Sequence, residues 1–366
     1  MIRSNTDPRA PAPLSVGQSA AAAGVSLAAP LGIVLVNWNR WTDTIECLES
    51  VLRSTIPVRI IVVDNGSTDN SLDHIAAWAN GLQEAVPLNA AMARFSQPGC
   101  PKPVPFDRFG PADIANPDAV ARQVLTLVDA GTNLGFAGGN NIGLRLLMAD
   151  PGVNWFWLLN NDTVIEPTAA EALVRRMATV HDIGMCGTIV RYYHKPDTVQ
   201  ALNGHRFNIW TGQSQGIGSK QPISKPFDPK KVVDQTDFIV GASLGASRRF
   251  LETIGPMEDR YFLYYEEIDW AARNDGRFAI SFAHGATVFH KEGGTIGSSG
   301  LPGARSLGSE YWLTRSRLAF IRRNRSWLLP WHWLVTVSLI ARRLLKGQLR
   351  KAAMITRALF GFNYRS

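Results

Sequence analysis

The sequence has little of several features that define specialised classes of protein. Its 366 residues include only three cysteines, Cys47, Cys100 and Cys186, whose wide spacing excludes a disulfide framework or a zinc site built from cysteine alone. We therefore expect a reducing compartment. Hydrophobic residues make up 45% and charged residues 19%, which excludes a wholly disordered, collagen-like or coiled-coil chain and is typical of a globular protein.

Acidic residues are absent from the C-terminal part of the chain. Of the 38 Lys and Arg residues, 12 lie between Tyr311 and Ser366, where no Asp or Glu occurs. The rest of the chain has the other 26 basic residues against all 30 acidic ones, so a slightly acidic body carries a basic tail. The uncharged stretch 326–341 has 16 residues and contains Pro330, which is short for a membrane span of about 20 residues.

The tail combines basic residues with tryptophan and leucine. Tryptophans at the start of its uncharged stretch and arginines after it predict helices that lie in the headgroup layer of an anionic membrane. Packing of these helices on the body, or in a homo-oligomer, is the alternative. No nucleic-acid recognition motif accompanies the basic residues, so we expect no nucleic-acid partner.

Composition divides the chain into three parts. Residues 1–30 are rich in Ala, Pro and Ser and lack the compact apolar core of a signal peptide, which predicts a disordered leader and a cytoplasmic protein. One domain is expected over 31–305, with a surface insertion at 81–125, where Pro, Ala and Gly are frequent and no period is sustained. Residues 306–366 form the basic, amphipathic helical tail.

Apolar strands alternate with amphipathic helices in the first half of the body. The short apolar runs 31–36 and 59–64 are typical of buried parallel strands, and the helical period of 41–53 lies between them. Another such run, 155–162, ends in polar residues. The alternation predicts a doubly wound α/β sheet, in which ligands bind beyond the carboxyl ends of the strands. After about residue 183 the pattern indicates an α+β half.

Three polar clusters end strands or precede a helix. In 37–40 and 64–69 a side chain could hydrogen-bond a nucleotide base or a ribose, whereas a capped turn is the structural alternative. The third cluster, 133–141, is a glycine-rich loop before a helix. Glycine lets the backbone approach a ligand and the helix N-terminus favours an anion, whereas tight helix packing is the alternative.

Two further clusters carry acids. Asp162 follows a predicted strand and could hold a divalent cation that neutralises a diphosphate, with His290 as a second ligand or as a merely structural histidine. Glu266, Glu267 and Asp269 lie among aromatic residues, where burial and like charge would raise at least one pKa, as a general base requires. The alternative is a helix N-terminus, where acids offset the dipole.

In this order, the clusters resemble the GT-A-fold glycosyltransferases of family 2, nearest to the bacterial rhamnosyltransferase-like branch. The matching stretches span about residues 31–295 and are IVLVNWNR, RIIVVDNGSTDNS, NLGFAGGNNIG, WLLNNDT, DFIVGASLGASRRFLETIG, YFLYYEEIDWAAR and VFHKEGGT. The resemblance implies a Rossmann-like, doubly wound mixed sheet of the GT-A fold, with an α+β acceptor-side half.

The resemblance also implies an activity. A sugar, rhamnose or another hexose, would pass with inversion from a dTDP, UDP or GDP donor to a glycan or lipid-linked glycan, with Mg²⁺ or Mn²⁺ as cofactor. The implied setting is surface-polysaccharide synthesis at the cytoplasmic face of the inner membrane. Because Asn160 stands where the family has an acid, a non-catalytic nucleotide-sugar or glycan-binding subunit is the alternative. A nucleotidyltransferase is a third, which leaves the glutamate pair without a clear role.

Roles on the donor side follow from position in the family's motifs. Asp64 would contact the nucleotide base, with Asn37 and Arg40 near it. Three residues of the glycine-rich loop would shape the nucleotide-sugar pocket: Asn133, Gly135 and Asn141.

Roles around the reacting atoms follow in the same way. Asn160, Asn161 and Asp162 would stand for the family's Asp-x-Asp metal motif, which leaves Asp162 as the principal carboxylate ligand. His290 matches a histidine that completes the metal shell in some members. Glu266 and Glu267 match the acidic pair whose second member is the usual base, so Glu267 is the expected base and Glu266 its alternative. Residues 241–243 would line the donor-sugar or acceptor pocket.

Overall fold

The computed structural model describes residues 31–116, 118–179, 182–292 and 305–364, so the predicted leader 1–30 and the glycines after Glu292 lie outside the described residues. Thirteen strands occur in this part of the chain: β1 Leu31–Asn37, β2 Val58–Asp64, β3 Phe106–Phe109, β4 Leu125–Asp129, β5 Trp155–Asn160, β6 Thr163–Ile165, β7 Ile183–Tyr192, β8 Lys195–Leu202, β9 Gly204–Asn208, β10 Gln213–Gly216, β11 Phe238–Ile239, β12 Ser243–Ser247 and β13 Ala279–His290. Eleven α-helices accompany them: α1 Trp41–Val51, α2 Ser71–Ala79, α3 Pro111–Ala115, α4 Gly135–Met148, α5 Ala169–Ala178, α6 Pro229–Gln235, α7 Arg248–Ile254, α8 Glu266–Asn274, α9 Leu307–Asn324, α10 Leu329–Leu345 and α11 Leu349–Leu359.

A ten-stranded mixed sheet forms the centre of the body, in the order β3-β4-β2-β1-β5-β12-β7-β13-β6, with β8 paired to β7. The five neighbouring strands β3, β4, β2, β1 and β5 run parallel to one another. By contrast, β12 pairs antiparallel with both β5 and β7. Side chains of β1 alternate between the two faces: Ile33 and Leu35 pack in one apolar cluster with Leu48 of α1, and Val34 packs in another with Leu147 of α4. The predicted doubly wound, Rossmann-like mixed α/β sheet is therefore confirmed.

The segment 81–125 differs from the predicted surface insertion. It supplies β3, which pairs parallel with β4 and forms one edge of the central sheet, and the short helix α3. It also covers α1, because the Glu49 carboxylate accepts hydrogen bonds from Cys100 N at 2.6 Å and Lys102 Nζ at 3.2 Å. The four residues of β3 are mostly half-buried and too few to show an alternation, so no strand is predicted there from the local pattern.

The second half is the predicted α+β half and carries a smaller sheet in the order β10-β9-β11. The tail begins with α9, whose Phe320 and Ile321 pack in one apolar cluster with Phe207 and Tyr265. Helix α10 is packed less completely, since Trp331, Leu334, Val337 and Leu345 are all exposed on its surface. Among the described residues, none of the helices has the length and apolar character needed to cross a membrane.

Candidate active site

The register of three parallel strands brings the first predicted site residues together. Asn37 ends β1 opposite Asp64 at the end of β2, and Asn160 ends β5 beside Val36. Asn37 Nδ2 donates to Asp64 Oδ1 at 2.7 Å, and Asn161 Nδ2 lies 3.3 Å from Asn37 Oδ1. Asn37, Asp64, Asn160 and Asn161 thus meet at the carboxyl edge of the sheet, where a doubly wound fold places its ligands.

The Asp64 carboxylate is held firmly at this edge. Besides Asn37, it accepts hydrogen bonds from Ser67 N at 3.0 Å and Ser67 Oγ at 2.5 Å. Asp64 therefore takes part in a capped turn, and this turn fixes the position of its carboxylate. The guanidinium of Arg40 is partly exposed and lies 3.5 Å from Asp43.

The glycine-rich loop is connected to the same edge through Asn65, which directly follows β2. Asn65 Nδ2 donates to Asn133 Oδ1 at 3.1 Å and to Gly135 O at 3.0 Å. Gly135 has a φ of +73°, and a Cβ there would lie 2.1 Å from Phe262 O. A glycine is thus required at position 135 because the backbone of the loop before α8 packs directly against it.

Asn141 lies six residues further along α4 and contacts the same loop. Its side chain donates to Met257 O at 2.8 Å and accepts from Met257 N at 3.0 Å. Both hydrogen-bonding ends of the amide are therefore occupied by one backbone unit. In this arrangement Asn141 ties α4 to the segment that leads to the glutamate pair.

Asp162 and His290 form a buried pair beyond the end of β5. Asp162 Oδ1 lies 3.1 Å from His290 Nε2, and Asn160 Nδ2 lies 3.3 Å from the same nitrogen. Burial alone would raise the pKa of Asp162, but the charge and hydrogen bond of His290 lower it below its usual value. Conversely, burial would lower the pKa of His290, and Asp162 raises it above the usual value.

Residues outside the predicted set hold this pair in place. His290 Nδ1 lies 2.9 Å from Gln200 Oε1, and because an amide oxygen only accepts, Nδ1 is the donor. Lys291 N donates to Asp162 O at 3.0 Å, and its buried Nζ lies 2.6 Å from both Asp43 and Glu46. Lys291 could have been suspected as a site residue only because it directly follows His290 in the sequence. The sequence around Gln200 contains no comparable indication.

The donor set suits a cation that is shared with a substrate. In the described parts of the chain, no group of three or more His, Cys, Asp and Glu side chains could hold a metal ion by itself. Two ligands of one octahedral cation, each about 2.1 Å from it, lie about 3.0 Å apart when adjacent, close to the spacing between Asp162 and His290. Magnesium commonly takes one or two protein ligands and completes its shell with phosphate oxygens and water.

The glutamate pair opens α8. Glu266 is buried, its Oε2 has no hydrogen-bond partner among the described residues, and its pKa is raised well above the usual value by burial and then by the charge of Glu267. Burial also raises the pKa of Glu267, to about 7, although hydrogen bonds from its own backbone N–H and that of Gly241 act in the opposite direction. A carboxyl group with this pKa can accept a proton near neutral pH.

Backbone contacts connect Glu267 with the segment that carries Asp162, the partner of His290. A Cβ added at Gly241 would lie 2.1 Å from Glu267 Oε1, so the carboxylate rests directly on that glycine. The next residue, Ala242, accepts a hydrogen bond at 3.1 Å from the backbone N–H of Asn160. Glu267 and the Asn160–Asp162 segment therefore border the same carboxyl edge of the sheet.

These elements define a GT-A-type fold with its polar side chains gathered at one edge. Among solved structures, the fold is similar to that of GalNAc-T7, determined with UDP, GalNAc and Mn²⁺, with a TM-score of 0.50 and 12% identity. The alignment covers 78% of this chain and 47% of GalNAc-T7, so this chain spans about half of that protein's length. At such low identity the likeness concerns the fold alone.

The family is indicated by a second comparison. Residues 32–87 match the model of the family described as Glycosyl transferase family 2, and this range contains the ends of β1 and β2 with Asn37 and Asp64. The predicted resemblance to family 2 glycosyltransferases is confirmed over this range, and the GT-A fold by the structural comparison, whereas the rhamnosyltransferase-like branch stays a prediction. Among curated proteins, no sequence matches the chain significantly.

Two further solved structures are similar over most of the chain. The mannosyltransferase PcManGT from Pyrobaculum calidifontis, in complex with GDP-Man and Mn²⁺, has a TM-score of 0.45 and 12% identity, covering 90% of this chain and 86% of that one. TarS 1–349 from S. aureus has a TM-score of 0.45 and 10% identity, covering 92% and 93%.

Proposed function

We propose that this chain is an inverting glycosyltransferase that moves a sugar, rhamnose or another hexose, from a nucleotide-diphosphate donor to a hydroxyl group of a glycan or lipid-linked glycan. The observation that carries the proposal is the shared edge: the Asp162–His290 pair and a glutamate with a pKa of about 7 border the same strand ends. One crevice then offers a place for a cation-bound diphosphate and a group that accepts a proton.

In the proposed reaction, Asp162 and His290 would hold Mg²⁺ or Mn²⁺, which neutralises the negative charge of the departing diphosphate. Glu267 accepts the proton from the acceptor hydroxyl as its oxygen bonds to the anomeric carbon. The bond between that carbon and the diphosphate oxygen breaks, and the diphosphate leaves with the electron pair. Attack on the face opposite the leaving group inverts the configuration. Asn37 and Asp64 lie where a nucleoside would be recognised.

The surroundings of the two adjacent glutamates argue against the non-catalytic alternative. A purely structural helix start would place its acids in water, where they offset the dipole without a loss of solvation. Glu266 is instead buried with one oxygen unpartnered among the described residues, and Glu267 has its pKa displaced to about 7. Strongly perturbed carboxyl groups of this kind cluster at catalytic sites.

The test is turnover of a donor panel by the whole chain. Purified protein is incubated with dTDP-, UDP- and GDP-sugars and Mn²⁺ or Mg²⁺, and release of the nucleoside diphosphate is measured. We expect one donor to be consumed in a metal-dependent manner, and Asp162→Ala to abolish this. Asp73→Asn, which changes an exposed acid on α2, is the matched control. No hydrolysis of any donor, and no donor-dependent rise in melting temperature, would contradict the proposal.

The tail supports a second part of the proposal, which is contact with the cytoplasmic face of a membrane that carries the acceptor. Exposed apolar residues of α10, among them Leu334 and Leu345, are accompanied by exposed basic residues: Arg342 on α10, Lys346 directly after it and Arg350 on α11. An interfacial helix combines apolar insertion with attraction to anionic headgroups in this way. A lipid-linked glycan would then meet the enzyme at the bilayer surface.

A further inference from the structure

A cleft of about 530 Å³ opens on the smaller sheet, and its lining residues include none of the candidate active-site residues. It is bordered by the β9–β10 hairpin and by Asp237, which directly precedes β11. Ten residues line it, and half of them carry neutral side chains that donate or accept hydrogen bonds: Asn208, Thr211, Gln213, Ser214 and Gln215. Among the described lining residues, Arg206 is the one cation and Asp237 the one anion, so the cleft has no net charge.

Trp210 forms the aromatic part of the cleft, and its side chain is 53% exposed. Two tryptophans of the tail contact this residue: Trp327 packs edge-on against its ring at 5.9 Å, and Trp331 Nε1 donates to its backbone oxygen at 2.8 Å. A large aromatic ring that is exposed yet fixed by its neighbours offers contact area at a low cost in conformational entropy. The cleft therefore combines an available ring face with a set of neutral polar groups.

The wall of the cleft is connected to the glutamate pair. Phe207 packs edge-to-face against Tyr265 at 5.9 Å, and Tyr265 Oη donates to Gly212 O at 2.5 Å. Tyr265 directly precedes Glu266 at the start of α8. On the other side, Gly241 is the fourth residue after Asp237, which limits the distance between their Cα atoms to about 14 Å. The cleft thus lies within a few sugar units of the carboxylate of Glu267.

We propose that this cleft binds the acceptor glycan, with one sugar ring stacked on Trp210 and its hydroxyl groups bonded to the neutral side chains of β10 and the hairpin. This deepens the proposed function and rests on it. A sugar ring has an apolar C–H face and a hydroxyl-rich rim, which fits the aromatic and polar halves of the lining. A phosphate or an anionic headgroup would favour a basic lining, and that character belongs to the helices of the tail rather than to this cleft.

The first experiment measures binding without catalysis. Saturation-transfer difference NMR is recorded with methyl glycosides of common hexoses, N-acetylhexosamines and rhamnose as probes. We expect at least one glycoside to receive saturation, and Trp210→Ala to weaken its binding about tenfold, as expected for the loss of one aromatic contact. Gln215→Ala, on the exposed edge strand, should weaken it less. Trp333→Ala changes an exposed tryptophan of α10 outside the cleft lining and is the matched control.

The second experiment separates this proposal from the proposed function. With the donor selected by the panel, Trp210→Ala should raise KM for the acceptor glycan about tenfold and leave KM for the donor near the wild-type value. Donor turnover with no response of acceptor KM to Trp210→Ala overturns the acceptor cleft and leaves the transferase intact. Absence of donor turnover contradicts the transferase, whether or not glycosides bind.

A membrane role for the cleft is a distinct outcome of the same study. Phosphatidylglycerol vesicles are added to wild-type, Trp210→Ala and Trp333→Ala proteins in a sedimentation assay. If Trp210→Ala reduces vesicle binding and no glycoside receives saturation, the ring belongs to a lipid-contact surface and the glycan proposal is overturned. If Trp210→Ala binds vesicles as the wild type does while its glycoside binding falls, the proposal is supported.

Discussion

The two adjacent glutamates at the start of α8 have different surroundings. Glu266 points into the protein with an oxygen that has no hydrogen-bond partner in the described structure, whereas Glu267 rests on Gly241 at the edge of the crevice. The two titrate as an interacting pair, so ionisation of one opposes ionisation of the other. These surroundings favour Glu267 as the proton acceptor, with Glu266 in a supporting position.

Replacement of the proposed base is the first prediction. Glu267→Gln keeps the shape of the side chain and removes its ability to accept a proton, so we expect turnover to fall about 10²–10⁴-fold. Donor affinity, measured by thermal shift, should stay near the wild-type value. A variant with nearly full turnover would exclude Glu267 as the base and transfer that role to Glu266, for which Glu266→Gln provides the comparison.

The pKa of Glu267 predicts the pH dependence of activity. Because the base acts when deprotonated, kcat/KM should rise with pH and level off above about 7. Glu267→Gln should remove this limb from the residual activity. A wild-type rate that is flat from pH 5 to pH 8 would contradict the assignment.

The same pKa fixes the sign of the effect on stability. Burial favours protonated Glu267 in the folded state, so its contribution to the free energy of unfolding is complete below pH 4.5 and is lost as the pH rises through about 7. Thermal unfolding of the wild type and of Glu267→Gln should therefore differ most, in favour of the variant, at pH 8. A larger advantage of the variant at pH 4.5 would contradict the raised pKa.

The placement of several candidate site residues could be predicted from the sequence because each stands at the end of an apolar run. Asn37 and Asp64 end β1 and β2 opposite each other, and Asp162 lies two residues beyond the end of β5, the other neighbour of β1. Gln200 and Lys291 could not be predicted, since their contacts with His290 and Asp162 arise from strand pairings and loops distant in sequence. The sequence also placed Asn141 at the donor pocket, whereas its amide is bonded to the backbone of Met257.

At the scale of elements, close packing around Gly241 and Gly135 predicts different effects of substituting the two glycines. A Cβ at Gly241 and a Cβ at Gly135 would each meet an atom at 2.1 Å, but the first is a carboxylate oxygen of Glu267 and the second is the backbone oxygen of Phe262. A flexible side chain can move away, whereas backbone held between α4 and the loop before α8 cannot move without strain. The two substitutions should therefore separate activity from stability.

Gly241→Ala should displace the Glu267 carboxylate, lowering turnover at least tenfold while the melting temperature changes little. Gly135→Ala, whose φ of +73° adds strain to the clash, should lower the melting temperature by several degrees. Circular dichroism melts and donor turnover measure both effects. Gly285→Ala, where a Cβ would meet Ala172 at an ordinary 3.4 Å, is the control. Equal loss of stability at positions 241 and 135 would contradict the proposed contact of Glu267.

Elements of the central sheet differ in how far the sequence predicts them. The strands β1, β2 and β5 are buried on both faces, so each reads as a continuous apolar run. β3 lies at the sheet edge, and its four residues FDRF are only partly buried. Its position depends on pairing with β4, which is a tertiary interaction that local sequence does not report.

At the scale of the whole molecule, the body and the basic tail make separate predictions. Arg342→Glu with Lys346→Glu reverses two exposed charges on and just after α10, so binding to phosphatidylglycerol vesicles should fall steeply, because each basic residue near an anionic surface contributes about 1 kcal/mol. Donor hydrolysis in solution should be unaffected. Co-sedimentation with anionic and with neutral phosphatidylcholine vesicles measures the change, and equal binding of wild type and variant would exclude this surface.

The central claim is that one crevice holds a cation-bound diphosphate opposite a glutamate base. It is tested most directly by anomalous diffraction from crystals grown with Mn²⁺ and a non-hydrolysable analogue of the donor that the panel selects. The account predicts a manganese peak next to Asp162 Oδ1 and His290 Nε2, with the anomeric carbon between that metal and Glu267. A manganese peak away from both residues, or a donor whose anomeric carbon faces away from Glu267, would contradict it.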